Sequence, residues 1–280
     1  MMNKKIKIKK YSDNWGNYNC SSNNNLPKIV DWINSNSLDN HEFTFYIDGF
    51  IRSAGFDSSE KNKIGWLLET PQINEETIKF LLSDLNRTKE HFKYIFTCIE
   101  ELVSIGDPFV YSISNAVPWI YQENRFITKK TKLVSMIASN KSWLRGHRKR
   151  LEWVDVLKDK VDLFGRGRQF PLINKEDGLR DYMFSVAIEN DSSDMYFTEK
   201  LTDCFAMGTV PIYYGSRKAV EKYFDPRGVI FLEDDPSLST ISENKYDEMK
   251  PYIEKNFELT MKLPIAEDFI YETYLKKNIN

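Results

Sequence analysis

Cysteine is scarce. Cys20, Cys98 and Cys204 are the only three in 280 residues, unevenly spaced and without a Cys-x-x-Cys pair. Thiols placed this way read as free, buried side chains in a reducing compartment, not as a disulfide scaffold or a zinc site. Histidine is equally sparse. His41, His91 and His147 show no metal-ligand spacing, and each reads as an ordinary surface or core residue. No apolar run reaches the length of a membrane span, and no signal-peptide pattern opens the chain. The basic, alternating start MMNKKIKIKKY has too small an apolar face for a membrane-touching arm and reads as a first strand. A surplus of one charge is missing as well: the net charge of −2 argues against bulk electrostatic binding to nucleic acid. No repeat of solenoid length is present.

What is there is apolar surface and alternation. The chain is 41% hydrophobic and 14% aromatic, enough to bury one large core or two smaller ones. Candidate strands fall at 5–9, 43–47, 64–68, 94–97 and 109–112, then at 133–138, 161–164, 184–188, 210–213 and 229–231. Candidate helices fall at 26–34, 75–85 and 99–105, then at 149–158, 199–207, 218–223 and 243–263. Strands and helices in turn predict an α/β fold, with parallel sheets covered by helices on both faces. Periodicity does not separate two such sheets from one larger doubly wound sheet. The polar stretch 122–132, with four basic residues, is the best linker. It divides the chain into domains 1–130 and 131–280 and leaves open that the last helix packs back on the first. The Asn-rich stretch 14–25 reads as a loop.

The most informative segment is Tyr196-Phe-Thr-Glu-Lys200 followed by LTDCFAMGTVPIYYGS. It reads as an amphipathic helix, a glycine break at Gly208 and a short apolar strand from Val210. Thr198 can cap the helix, which places Glu199 and Lys200 in its first turn. Backbone N–H groups are unpaired there and the dipole is positive, so a lysine at that end suits a phosphate or diphosphate. Spacing alone fits an ordinary αβ unit with a solvated Glu-Lys pair about as well.

The wording of the segment resembles the donor-binding motif of the α-1,3/4-fucosyltransferases, glycosyltransferase family 10. That family has a Tyr-hydrophobic-Thr-Glu-Lys run before a helix, a small-residue turn and a Val/Ile-Pro-Ile strand ending in Gly-Ser or Gly-Pro. Tyr182-Met-Phe-Ser-Val-Ala-Ile-Glu-Asn190 is similar to the family's strand that ends in Glu-Asn. Ser139-Asn140, the helix Arg150-Leu-Glu-Trp-Val-Asp-Val-Leu157 and the strand Val161-Asp-Leu-Phe-Gly165 follow the family's order. The likeness covers about 131–235 well and the first half thinly. It implies the GT-B architecture, two Rossmann-like domains with parallel sheets facing across a cleft. It also implies an inverting, metal-independent transfer of fucose from GDP-fucose to a hydroxyl of an acceptor glycan, with no cofactor required. Animal Golgi members carry a membrane anchor and disulfides. With no sign of either, this chain looks like the soluble bacterial or viral forms, and a cytoplasmic location is expected.

Sugar transfer from a nucleotide diphosphate needs charge stabilisation on the leaving group, a base for the acceptor hydroxyl and a hold on the sugar. The chain has no Asp-x-Asp, the usual carboxylate pair for a bridging metal. Positive side chains and helix N-termini are then expected to do the metal's work. The resemblance assigns Arg150 and Lys200 to the diphosphate, one as a bidentate grip and the other as a point charge. Arg150 also lies in the basic cluster Arg145-Gly-His-Arg-Lys-Arg150, most of which reads as a solvated face. Asn190, Tyr196 and Glu199 match family positions near the donor's sugar or ribose; simple packing at the helix entrance fits Tyr196 about equally. Arg166 in the Gly165-Arg-Gly167 turn is adequately explained as a tight turn.

The base is expected from the first half. Glu69 follows an apolar strand in Gly65-Trp-Leu-Leu-Glu-Thr-Pro71, where a parallel sheet opens its crevice. Similar runs carry the family's proposed base, with serine commoner than Thr70. Capping of the helix that begins near Asn74 is the plain alternative, and Asp48 is the second candidate base. Two other functions stay open. One is a transferase of the same fold using another nucleotide sugar, since Ala187-Ile188 stands where the family often has Cys-Phe. The other is a catalytically inactive sugar-nucleotide or glycan-binding module. The acceptor and the oligomeric state are not legible.

Overall fold

The computed structural model describes residues 5–12, 20–22, 25–113, 116–193 and 195–278. In chain order the elements begin with β1 (Ile6–Tyr11), β2 (Val30–Asn34), β3 (Phe43–Ile47), β4 (Lys63–Leu67), α1 (Glu75–Ser83), α2 (Leu85–His91), β5 (Tyr94–Thr97), α3 (Glu100–Ile105) and β6 (Phe109–Tyr111). There follow β7 (Lys132–Ile137), α4 (Arg145–Leu157), β8 (Asp162–Phe164), β9 (Tyr182–Ile188), α5 (Glu199–Ala206), β10 (Val210–Tyr214), α6 (Arg217–Tyr223), β11 (Ile230–Phe231), α7 (Glu243–Met261) and α8 (Ala266–Ile270). Two compact units result: 1–115 with 264–280, and 116–263. Among the described residues no helix is long and apolar enough to cross a membrane. Cys20, Cys98 and Cys204 are buried and form no disulfide.

The first unit is a six-stranded sheet in the order β2-β1-β3-β4-β5-β6, parallel throughout. Its central strand β3 is buried at every position, as expected of a strand covered on both faces. The expected helix over 26–34 is a strand instead. Pro27 lies at its start, and Val30-Asp-Trp-Ile-Asn buries Val30 and Trp32 while exposing Asp31, a period of two that fits an edge strand. It pairs with β1 from Ile6↔Val30 to Lys10↔Asn34. The single helix expected at 75–85 breaks at Asp84, whose extended backbone ends α1 and whose carboxylate accepts from Arg87 N at 3.0 Å to start α2. The Asn-rich stretch 14–25 falls largely outside the described residues.

The second unit is a five-stranded parallel sheet in the order β11-β10-β9-β7-β8. The sequence placed the division at 130/131; the units divide at 115/116, and the stretch read as a linker belongs to the second. Lys130 is the physical reason. It is buried, and its ammonium donates to Met207 O at 2.6 Å, Arg180 O at 3.0 Å, Leu179 O at 3.3 Å and the Thr128 and Thr209 hydroxyls. Arg125 holds the same segment through Ile120 O and Pro118 O. The long helix α7 stays with this unit, through Tyr246 OH on Gly208 O at 2.8 Å and Asn256 bonded both ways to the Asp225 backbone. The segment after it belongs to the first unit. There Glu267 accepts from Ser21 N and Oγ, and Asp268 from Lys28 N and Ile29 N.

Candidate functional site

The carboxyl end of β9 and the amino end of α5 form the most polar buried region of the second unit. Glu189, one residue past β9, is fully buried. It accepts from Thr198 N and Oγ1, both at 2.8 Å, from Lys200 Nζ at 3.3 Å and from Tyr213 OH at 3.4 Å. One carboxylate thus fixes the residue that caps α5 and the lysine two positions on. Thr198 is the N-cap, as its residue type and the following Glu-Lys pair predicted. At the other end Gly208 takes φ +66, and a Cβ there would meet Ile127 at 2.6 Å. The helix, the glycine break and the strand read from sequence are all present.

Lys200 is not a solvated charge. Its ammonium reaches Thr198 Oγ1 at 3.0 Å and Glu199 Oε1 at 3.7 Å besides Glu189. Burial opposes its charge, but Glu199 and Glu189 hold the ammonium above its usual range. Glu199 is also shared. Lys175 Nζ lies 3.1 Å from Glu199 Oε1, 2.7 Å from Asp203 Oδ2 and 4.6 Å from the Trp119 ring centre. Against the cost of burial, Lys175 and Lys200 pull the Glu199 carboxyl down to about 2. Three carboxylates, Glu189, Glu199 and Asp203, are therefore interleaved with two ammonium groups, and a developing negative charge would meet fixed cations in a water-poor setting. Tyr196 is buried in the turn before α5, where its N–H bonds Ser193 O at 3.0 Å. Sequence reasoning missed Lys175 and Glu189. Lys175 stands 24 positions from Glu199, and no local spacing marks it. Glu189 was visible only as half of a Glu-Asn pair.

Arg150 separates from its basic neighbours. Arg145 and Arg148 are exposed, as a solvated face requires, whereas Arg150 is 6% exposed. Its Nη2 donates to Ser139 Oγ at 3.0 Å and its Nη1 to Asn190 Oδ1 at 3.4 Å, while Nε is buried without a partner. Burial and the neighbouring Arg168 lower its pKa. Gly146 explains how α4 comes so close: a Cβ there would lie 2.0 Å from Asn190 O. The first turn of α4 is pressed onto the exit of β9, which brings Arg150 and Asn190 together. Arg166 is exposed, whereas Arg168 anchors on Ala138 O and Ser139 O.

In the first unit, Glu69 lies two residues past β4 and is half-buried. Asp48, just past β3, takes φ 52 and is buried. Its Oδ1 accepts from Leu68 N at 2.9 Å, Glu69 N at 3.0 Å and Asn74 Nδ2 at 2.7 Å. Asn74, the N-cap residue of α1, also donates to Glu69 O at 3.1 Å. Asp48 Oδ1 thus holds the turn on which Glu69 rides. The helix-capping position belongs to Asn74 and not to Glu69.

Two parallel α/β units, with a cation-lined helix entrance at the carboxyl end of the second sheet, define the GT-B class of glycosyltransferase folds. Residues 127–248 match the family described as glycosyltransferase family 10 (fucosyltransferase) C-term. Alpha-(1,3)-fucosyltransferase 4 of Mus musculus is 33% identical over 123 residues, covering 41% of this chain and 28% of that protein. Alpha-(1,3)-fucosyltransferase FucT of Helicobacter pylori is 38% identical over 61 residues, 22% of this chain and 13% of its own length. The chain spans less than a third of either relative. The crystal structure of an alpha1,3-fucosyltransferase with GDP-fucose superposes with a TM-score of 0.54 at 16% identity, covering 100% of this chain and 94% of that one. At that identity the likeness establishes the fold.

Proposed function

We propose that this chain transfers fucose from GDP-fucose to a hydroxyl of an acceptor glycan, with inversion at the anomeric carbon and without a metal ion. One observation carries the reading: a buried arginine and a carboxylate-locked lysine converge on β9 and α5, inside the stretch that matches the fucosyltransferase family. In the proposal Arg150 and Lys200 take the charge that develops on the leaving GDP, aided by the positive end of the α5 dipole. Asn190, Tyr196 and Glu199 hold the donor's hydroxyls; a carboxylate kept ionised by two lysines is a strong acceptor for them. Glu69 removes the proton from the acceptor hydroxyl as that oxygen attacks in line, and the turn held by Asp48 and Asn74 supports it. Fixed cations take the place of a bridging metal, and no cofactor enters the scheme. The partners are the nucleotide sugar and the glycan alone. A cytoplasmic site of action is part of the proposal, open to fractionation of the tagged protein.

Calorimetry with GDP, GDP-fucose and UDP-sugars, each with and without EDTA, tests the donor. Binding of the guanine nucleotides that survives EDTA supports the reading. Preference for a UDP-sugar, or strict dependence on Mn²⁺, overturns it. Proton NMR of the product in its first minutes reads the anomeric configuration and so the inversion.

A further inference from the structure

On the reading that the second unit binds a nucleoside diphosphate sugar, we propose that His147 is a further donor-binding residue, a neutral imidazole whose Nε2–H donates to the diphosphate beside Arg150. Spacing in the sequence gave this histidine no role. In the fold it sits in the first turn of α4, three residues before Arg150 and therefore on the same side of the helix. It is 4% exposed. Leu144 N donates to its Nδ1 at 3.4 Å. A ring nitrogen that accepts carries no proton, so the neutral ring carries its proton on Nε2. Among the described residues Nε2 has no hydrogen-bond partner. Trp143 stands edge-on to the ring, centroids 4.7 Å apart at 83°, and fixes its plane.

The surroundings say what that N–H is for. The charged groups acting on the ring are Arg150 on its own helix, Lys141 in the loop before it and Lys200 on α5, all cations. Burial first, then these three, push the imidazole down to about 4. A third charge beside Arg150 and Lys200 would repel both; a neutral donor adds a hydrogen bond without that cost. The arginine itself has an unfilled need, since its Nε is buried with no acceptor. An anion seated there would satisfy Arg150 Nε and His147 Nε2–H together, and Arg150 already meets Asn190 at the exit of β9, where Gly146 lets α4 approach.

Two substitutions separate ligand binding from local structure. His147→Asn keeps an acceptor within reach of Leu144 N and removes the outer N–H. His147→Gln keeps an N–H near the Nε2 position. Calorimetry with GDP and with inorganic pyrophosphate, alongside thermal unfolding, reads the outcome. We expect His147→Asn to weaken both ligands about tenfold at unchanged melting temperature, and His147→Gln to stay within about threefold of wild type. Unchanged affinity in His147→Asn overturns the assignment, as does a loss for GDP that pyrophosphate does not share. So does a parallel fall in stability and affinity in both variants, which marks the ring as structural. If the wild-type protein bound neither ligand, the donor reading itself would fail, an outcome visible before any variant is made.

Discussion

Replacing Lys175 with methionine keeps the length of the side chain and removes its charge. Two carboxylates then lose their shared cation. Glu199 and Asp203 are one turn apart on α5, 7% and 2% exposed, and the remaining ammonium, Lys200, is already bonded to Glu189. The carboxyl of Glu199 lies at about 2 instead of the ordinary 4.5. A difference of that size is on the order of 3 kcal/mol, part of which belongs to Lys200. Breaking a buried ion pair from one side costs about 3–5 kcal/mol, less here because the Lys175 side chain is a quarter exposed. The variant should therefore lose about 2–3 kcal/mol, or roughly 5–10 °C in the transition that unfolds the second unit.

The pH dependence carries the sign. In the wild type, the depressed Glu199 contributes stability that is fully present above about 4.5 and is lost as pH falls through about 2. Asp203 runs the other way: burial raises its carboxyl above the usual 3.8 while Lys175 opposes. Without Lys175 both folded-state values rise above their unfolded ones. The variant then recovers stability as the pair takes up protons on acidification. Calorimetric scans at pH 7.5 and pH 5 should show a large deficit at the first and a smaller one at the second. A deficit below about 1 kcal/mol at pH 7.5, or one that does not change with pH, refutes this account of the cluster.

Lys200→Ala and Arg150→Ala should each weaken GDP binding by about 1.5–3 kcal/mol, measured by calorimetry; because Arg150 is buried, its variant should also melt earlier, whereas normal GDP affinity in either folded variant removes that residue from the site. Glu69→Gln should lower transfer by about 10²–10⁴-fold in a product assay while GDP affinity changes little; near-normal turnover would exclude Glu69 as the base. Asp48→Asn, which weakens the turn without touching the proposed base, should cost stability in thermal unfolding and leave the pH profile of residual transfer where the wild type has it. Gly146→Ala should destabilise the protein and reduce GDP affinity together, since its methyl meets the Asn190 carbonyl at 2.0 Å; a variant that behaves like wild type would show that α4 can back away freely.

Features set by neighbouring residues were legible before folding was considered. Thr198, Glu199 and Gly208 start and stop α5 through caps and a backbone angle, so the helix and the strand after it could be read directly. The strands at 43–47 and 94–97 could be read because a run buried on both faces is largely apolar, with only Thr44 and Thr97 polar among them. Where local signals were weak, tertiary context decided. The Val30–Asn34 segment became a strand because β1 offered it an edge. The basic stretch read as a linker was absorbed because five oxygens from three segments surround Lys130. The site divides the same way. Its charged residues at 199 and 200 stand in one short motif. Their electrostatics depend on Lys175 and Glu189, which reach them only through folding, and the burial of Arg150 follows from how α4 lands on β9. A side chain's charge is written in its residue type; the partners that fix its protonation and direction come from distant segments, which only the folded chain brings within a few ångströms.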